Sequence, residues 1–199
     1  MKKIPTIVLL FINITAFAQK NVRNNYVDSL QKFQQEYVHH HHVIKGEDTV
    51  YLQFFPIDSN YRVVADFKKT EDSAFTMQLT EGKTAKYLKY GTVTFKLQNK
   101  TITLHLYQSE TLMKLPGYKN NLLIPFIDLS NGIGSYGGGR YLDVAITDII
   151  DNKVTLDFNK AYNPYCAYTT GYNCPIPTGE NLIMLSINAG EKTYAKPMR

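Results

Sequence analysis

Three glycines in one short stretch are spaced like the glycines that hold a pyrophosphate in dinucleotide-binding proteins. Gly132, Gly134 and Gly137 lie in the segment NGIGSYGGGRY. A pyrophosphate loop needs a strand before it and a helix after it, because the helix N-terminus supplies amide donors and a favourable dipole. The residues that follow, RYLDVAITDI, instead alternate as a half-buried strand does. The pattern therefore excludes a dinucleotide site and predicts a glycine-rich turn between two strands.

Arg140, just beyond this turn, is a candidate anion-binding residue. Its planar guanidinium matches the geometry of carboxylate and phosphate groups. Two interpretations stay open. Either the loop is only a turn, in which glycine supplies positive φ or lets another backbone approach closely, or it borders a ligand pocket in which Arg140 pairs with the ligand charge.

The densest polar chemistry lies in the segment from Leu156 to Leu182, which is rich in Asn, Tyr and Pro. Irregular segments of this length in a compact domain are usually functional or held by a disulfide. We expect this segment and the glycine loop to frame one pocket for a small polar or anionic molecule, with Glu180 orienting Arg140 or a ligand hydroxyl. The predicted binding residues are Arg140, Tyr136, Tyr141, Asn159, Tyr162, Asn163, Glu180 and Asn181.

Two other functions use the same residues. A hydrolase-type enzyme would employ Glu180 or Asp128 as general base. No G-x-S-x-G or H-E-x-x-H motif accompanies them. In a purely structural or protein-interaction module, the polar residues would satisfy only their own loop.

The first residues, MKKIPTIVLLFINITAFAQ, predict a secretory signal peptide. Two lysines precede an apolar run that ends in Ala16-Phe17-Ala18, a small-x-small cleavage pattern. The run is shorter than the roughly 20 residues that cross a bilayer as a helix. We expect a signal peptide over 1–18, one β-rich domain over 19–199, and a periplasmic or secreted protein without stable membrane insertion.

Two cysteines, Cys166 and Cys174, remain after signal removal. In an oxidising compartment we expect a disulfide, which would contribute about 2.6 kcal/mol by closing so short a loop. A reduced metal-binding pair is the alternative, although its spacing exceeds that of the usual zinc hook. The run from His39 to His42 is interpreted as a solvated helix end, so no metal site and no cofactor are predicted.

Charge argues against nucleic acid as a partner. The formal net charge of +5 would fall to +3 once Lys2 and Lys3 leave with the signal peptide. The remaining cations are scattered among acidic residues, and so small a surplus mainly serves solubility.

Before the strands, the spacing of Tyr26, Leu30, Phe33 and Tyr37 predicts an amphipathic helix from Val22 to about His42. The stretch EDTVYLQFFPID that follows is compatible with a short helix or an extended segment.

From Tyr61 onward the apolar residues recur with a period of two, which predicts β-strands. Several short strands separated by turns must fold onto themselves, so we expect a mainly β protein. Its architecture is predicted as an antiparallel sandwich or incomplete barrel, with the N-terminal helix covering an edge or an open end. The predicted strands are YRVVADF, AFTMQL, KYLKYGTVTFKL, KTITLHLY, NLLIPF, RYLDVAITDI, KVTLDF and NLIMLSIN.

Several of these segments together resemble a known family. PFIDLSNGIGSYGGGRYLD, LDFNKAYNPYCAY and NCPIPTGENLIMLSINAGEK are similar to the bacterial family catalogued as domain of unknown function 1684. The resemblance spans roughly Asp28 to Lys192 and includes FFPID. Because that family has no established activity, the resemblance implies membership and no particular reaction.

Overall fold

The computed structural model describes the backbone of residues 7–196 and the side chains of residues 24–71 and 73–196. The predicted signal peptide lies outside these side-chain ranges, and both it and the division of the chain at residue 18 stay predictions. Within the described part, no helix combines the length and the apolar content needed to cross a membrane.

The N-terminal helix, α1, spans Ile7–His40. Its predicted inner stripe faces the body of the protein. Leu30 is almost fully buried, the Tyr26 hydroxyl donates to Asp157 Oδ2 at 3.0 Å, and the Lys160 ammonium lies 5.3 Å from the centre of the Phe33 ring. The helix is thus held to the sheet by the side chains that define its predicted apolar face.

The body of the protein is a curved, mainly antiparallel sheet that forms half of a barrel, which confirms the predicted fold class. The strands along it follow the order β5-β4-β3-β2-β1-β6, and β7 pairs in parallel with the end of β4. They are β1 (Arg62–Gln78), β2 (Thr84–Leu97), β3 (Lys100–Ser109), β4 (Asn121–Asp128), β5 (Arg140–Ala145), β6 (Lys153–Asp157) and β7 (Leu182–Ile183).

The main core fills the inner face of this sheet, where buried side chains alternate along the strands. The two longest strands are bent by register shifts, one in β1 between Lys69 and Ser73 and one in β2 between Lys89 and Gly91. Bulges of this kind bend a sheet and increase its twist. A Cβ on Gly91 would lie only 2.5 Å from the Phe67 ring, so the bend requires glycine there.

The stretch after α1 combines both predicted forms, whereas the last predicted strand is shorter than predicted. The stretch after α1 begins with a 3-10 helix, Gly46–Tyr51, and continues as extended chain. The last predicted strand, residues 181–188, pairs only over Leu182–Ile183. Beyond it, the carbonyl of Leu185 accepts from Leu129 and that of Ile187 accepts from Arg140, so this backbone bonds to loops and side chains instead of a ladder.

The segment from 158 to 181 is irregular, as predicted, and the sulfur atoms of Cys166 and Cys174 lie at disulfide distance within it. Short 3-10 turns punctuate this segment and the other loops. They are Ser59–Tyr61, Thr80–Gly82, Leu112–Lys114, Ile146–Asp148, Phe158–Lys160, Tyr165–Ala167 and Gly179–Asn181.

Candidate functional site

Arg140, the predicted anion-binding residue, is the first residue of β5 and is fully buried. Its Nη1 donates to the carbonyl oxygens of Ala189 at 2.5 Å and Glu191 at 3.2 Å. Its Nη2 donates to the carbonyl oxygen of Ile187 at 2.7 Å and to Asp128 Oδ2 at 2.8 Å. Both Nη atoms therefore donate to the protein, and only the buried Nε has no partner among the described residues. Because the side chain has no exposed surface, this geometry does not support the predicted ligand contact of Arg140.

Asp128 is the buried counter-charge of Arg140, and both side chains are 0% exposed. Its Oδ1 accepts from the backbone N–H groups of Ser130 at 2.8 Å and Ile187 at 3.0 Å. Burial lowers the pKa of Arg140, and the nearby carboxylate opposes this shift. A carboxylate so surrounded by donors is out of reach of a substrate proton, so the geometry does not support Asp128 as a general base.

The glycine loop is a turn between the antiparallel strands β4 and β5, in which Phe126 pairs with Arg140. Gly139 adopts a φ of +89°, and a Cβ there would lie 2.7 Å from the carbonyl oxygen of Phe126 and 2.8 Å from Pro177 Cγ. Only glycine fits both constraints. The structure thus gives the glycines the role of the plain turn, and no pocket opens at the guanidinium.

Two of the predicted binding asparagines also form hydrogen bonds within the protein interior. Asn159 Oδ1 accepts from the Asp58 N–H at 3.0 Å, and its Nδ2 donates to the Asp58 carbonyl at 2.8 Å. Asn181 Oδ1 accepts from the His105 N–H at 2.7 Å, while its Nδ2 donates to the Pro125 carbonyl at 2.8 Å. These buried amides join neighbouring chain segments and leave no free group for a ligand.

Glu180 lies at the surface and is paired with a different cation from the one predicted. Its carboxylate lies 2.7 Å from Lys89 Nζ and accepts a second hydrogen bond from the Tyr107 hydroxyl at 3.3 Å. The hydrogen bond from Lys89 is the main reason that the pKa of Glu180 is lowered. A lowered pKa weakens a general base at neutral pH, so this geometry does not favour the predicted catalytic role.

The three tyrosines among the predicted binding residues make separate contacts. Tyr141 is buried on β5, and its hydroxyl donates to the carbonyl of Pro175. Tyr136 is half-buried and its ring packs against Gly138. The half-buried Tyr162 donates to Asp143 Oδ2 at 2.9 Å. A ligand contact by Tyr136 or Tyr162 stays a prediction, but the predicted residues do not line one common hollow.

Asn163 belongs to a buried polar cluster built around Glu191, a residue that the sequence did not single out. The Glu191 carboxylate is fully buried. It accepts from the Tyr168 hydroxyl at 2.6 and 2.7 Å, from the Tyr37 hydroxyl at 3.1 Å and from the Asn163 N–H at 2.9 Å. Burial raises the pKa of Glu191 to about 7, against the opposing effect of these hydrogen bonds. The cluster ties α1 to the C-terminal segment.

His41 packs against the same cluster, with its ring centre 4.7 Å from that of Tyr168. Its Nδ1 accepts from the Ile44 N–H at 2.9 Å, so the neutral ring carries its proton on Nε2. Nε2 is buried and has no hydrogen-bond partner within the described part of the chain. Burial lowers the pKa of His41 to about 4, and the positive charges of Lys45 and His42 add to the shift.

For His41 alone, this burial corrects the interpretation of the histidine run as a solvated helix end. His41 is 4% exposed, whereas His39, His40 and His42 are exposed. The spacing held a clue, because His41 follows Tyr37 by four residues and the two would share one face of the predicted helix, which extends to about His42. For Glu191 no comparable signal exists, since it is an isolated acid in a loop. Among the described residues, no three or more His, Cys, Asp or Glu are arranged to hold a metal ion.

A groove of about 860 Å³ runs between the second half of α1 and the segment that follows the helix. It is larger than two other hollows on the surface, which measure about 310 and 400 Å³. The Phe54 ring meets Tyr37 edge-on at 5.7 Å, which links the groove to the Glu191 cluster. The groove is lined by Gln31, Gln34, Gln35, Val38, His39, Lys45, Gly46, Thr49 and Phe54.

Gln34 distinguishes this groove from an ordinary surface depression. Its side-chain Nε2 is buried and has no hydrogen-bond partner among the residues that the structure describes. An amide of this kind can donate two hydrogen bonds. Gln34 is therefore a lining residue whose donor capacity the protein does not use.

Comparison with solved structures shows a similar fold in an uncharacterized protein. The solution NMR structure of an uncharacterized protein of Haloarcula marismortui is 29% identical, with a TM-score of 0.65. The similarity covers 87% of this chain and 97% of that chain. No curated protein matches this sequence.

The family described as "Protein of unknown function (DUF1684)" matches residues 50–192. The chain belongs to this family. Membership in DUF1684 confirms the resemblance predicted from the sequence. Of the residues that line the groove, only Phe54 lies within the matched DUF1684 range, so α1 and the turn after it supply the rest.

Proposed function

We propose that this DUF1684 protein is an exported binding protein that holds a small polar molecule in the groove beside α1. The volume of about 860 Å³ falls in the range of roughly 300–1,000 Å³ that is typical of small-molecule sites. Three glutamines and a threonine supply hydrogen-bonding groups, and Phe54 and Val38 supply apolar contact. This proposal keeps the ligand class predicted from the sequence and moves its site away from Arg140.

The unpaired amide of Gln34 carries the proposal. A buried donor without an acceptor costs about 1–3 kcal/mol. A ligand hydroxyl or carbonyl that accepts from Nε2 would remove this cost, which gives the groove a reason to prefer a hydrogen-bonding ligand over an apolar one.

Export is supported by the predicted signal peptide over residues 1–18. It agrees with the disulfide distance between Cys166 and Cys174, because disulfides persist in oxidising compartments. The test is fractionation of cells that express the full chain, followed by mass analysis of the N-terminus. A mature protein beginning near Gln19 outside the cytoplasm is expected, and an uncleaved cytoplasmic chain would overturn this part of the proposal.

Ligand binding is tested by a thermal-shift screen of sugars, polyols, amino acids and hydroxy acids, with calorimetry on the compounds that stabilise the protein. We expect Gln34→Ala to weaken binding by about tenfold or more, because it removes the donor. Asp28→Ala, on an exposed part of the same helix, is the matched control and should bind normally. If compounds bind Gln34→Ala as tightly as the original protein, the groove is not the site.

The hydrolase alternative receives no support from its two candidate bases. Asp128 is buried and paired with Arg140, and the pKa of Glu180 is lowered beside Lys89. A binding function therefore accounts better for the available groups than catalysis by either carboxylate.

A further inference from the structure

The groove lining contains basic residues and no acidic ones. The nine lining residues include a lysine and a histidine, Lys45 and His39, and no aspartate or glutamate. The neighbouring acid Asp48 is paired with Lys196 at 2.6 Å and does not line the groove. The exposed Glu47 is also absent from the lining.

The two basic residues of the lining lie where α1 ends and the chain turns back. His39 is in the last turn of the helix, and Lys45 precedes the 3-10 helix Gly46–Tyr51. The charge of Lys45 contributes to lowering the pKa of the buried His41, which follows the end of α1. The C-terminal end of a helix carries a partial negative charge of about half an elementary unit. This is smaller than the full positive charge of Lys45, so the local charge remains positive.

We infer that the ligand of the groove is an anion whose carboxylate or phosphate group pairs with Lys45, while Gln34 donates to another of its oxygens. This inference rests on the proposed function and narrows its ligand class. The donors in the lining are the ammonium of Lys45, the amides of the three glutamines and the hydroxyl of Thr49. Oxygen-rich anions accept several hydrogen bonds at once, and charge-assisted bonds are the stronger kind.

The experiment compares matched probes by calorimetry at low and high salt. Glycerol 3-phosphate and orthophosphate represent phosphates, and citrate represents carboxylates. Glycerol is the neutral counterpart of glycerol 3-phosphate, and glucose is a second uncharged polyol. We expect at least one anion to bind more tightly than its neutral counterpart, with an affinity that falls as salt rises. The phosphate and citrate arms show which of the two groups the groove takes.

Variants at Lys45 then separate this inference from the proposed function. Lys45→Gln should weaken the anion by about tenfold and reduce its salt dependence, whereas Lys45→Arg should retain most of the affinity. Lys114→Gln, at an exposed lysine outside the groove, is the control and should bind as the original protein does.

Three outcomes would overturn the inference. If neutral probes bind and their affinity depends on Gln34 but not on Lys45, the proposed binding function is supported and the inference that the ligand is an anion is wrong. If an anion binds Lys45→Gln with unchanged affinity and salt dependence, the anion contacts another surface. If no probe of either kind binds, both the inference and the proposed function fail.

Discussion

The Tyr168 hydroxyl reaches both carboxylate oxygens of Glu191, at 2.6 and 2.7 Å, in a part of the protein where Glu191 has no exposed surface. The Arg140 guanidinium also contacts this residue, but it donates to the backbone carbonyl of Glu191 and not to its carboxylate. Glu191 is therefore held by neutral donors, which leaves the cost of burying its charge only partly offset.

This arrangement predicts that Glu191→Gln changes how stability depends on pH. The pKa of Glu191 rises from 4.5 to about 7 on folding, so the folded state favours the protonated form. Its contribution to stability is complete below pH 4.5 and is lost as pH rises to 7, by about 3 kcal/mol. The variant should therefore gain about that much stability relative to the original protein between pH 4.5 and 7. Urea unfolding at both pH values measures it, and parallel pH profiles would contradict the raised pKa.

His41→Leu should show the opposite trend. The pKa of His41 falls from 6.5 to about 4 on folding, so its contribution is present above pH 6.5 and is lost as pH falls toward 4. Relative to the original protein, the variant should gain about 3 kcal/mol between pH 6.5 and 4. It should start from a lower stability at pH 7, because the Ile44 N–H loses its acceptor. The same urea series checks this, and a difference that is constant with pH would count against a buried neutral imidazole.

The two shifts run in opposite directions over nearly the same pH range. In the unaltered protein they offset each other, so its unfolding free energy should vary less with pH than that of either variant. The double variant Glu191→Gln/His41→Leu is the control, since it should recover a profile close to the original one.

Arg140→Ala should be among the most destabilising substitutions in the chain. It leaves the Asp128 carboxylate buried without its cation, a change that costs about 3–5 kcal/mol. Lys153→Ala is the matched control, because Lys153 and Asp66 form an ion pair of similar length, 2.6 Å, with exposed side chains. Its loss should cost about 1 kcal/mol or less. Equal effects of the two substitutions on the free energy of unfolding would rule out a structural role for Arg140.

Gly139→Ala tests the turn interpretation of the glycine loop. An added methyl group would strike the Phe126 carbonyl and Pro177, in addition to the strain of φ +89°. At Gly132 the φ is +78° but the space for a methyl group is open. We expect Gly132→Ala to cost about 1 kcal/mol and Gly139→Ala clearly more. Thermal unfolding of the two variants gives the comparison, and similar midpoints would contradict the close approach seen at Gly139.

Local patterns predicted the elements well. Alternation located β2, β3 and β4 closely because buried positions alternate along much of each strand. The three-to-four spacing of Tyr26, Leu30 and Phe33 predicted the stripe that α1 packs against the body. These features depend on near neighbours in the chain, where period and burial are directly related.

The contacts of the polar residues were not predictable in the same way. Arg140 finds its acceptors 47 and 49 residues later, and Tyr37 reaches Glu191 across 154 residues. A charged side chain in a glycine-rich stretch has the same local signature whether it faces solvent or the interior. The sequence therefore identified polar residues that matter to the structure and misassigned their partners.

The carbonyl groups that receive Arg140 lie at Ile187, Ala189 and Glu191, close to the C-terminal end of the matched family region. The interior cannot close around this cation until those last residues arrive. During synthesis or translocation, most of the sheet and the Asp128 carboxylate emerge before these three carbonyl acceptors of Arg140. The hydrogen bonding of this buried cation is therefore completed only after residues 187–191 have emerged.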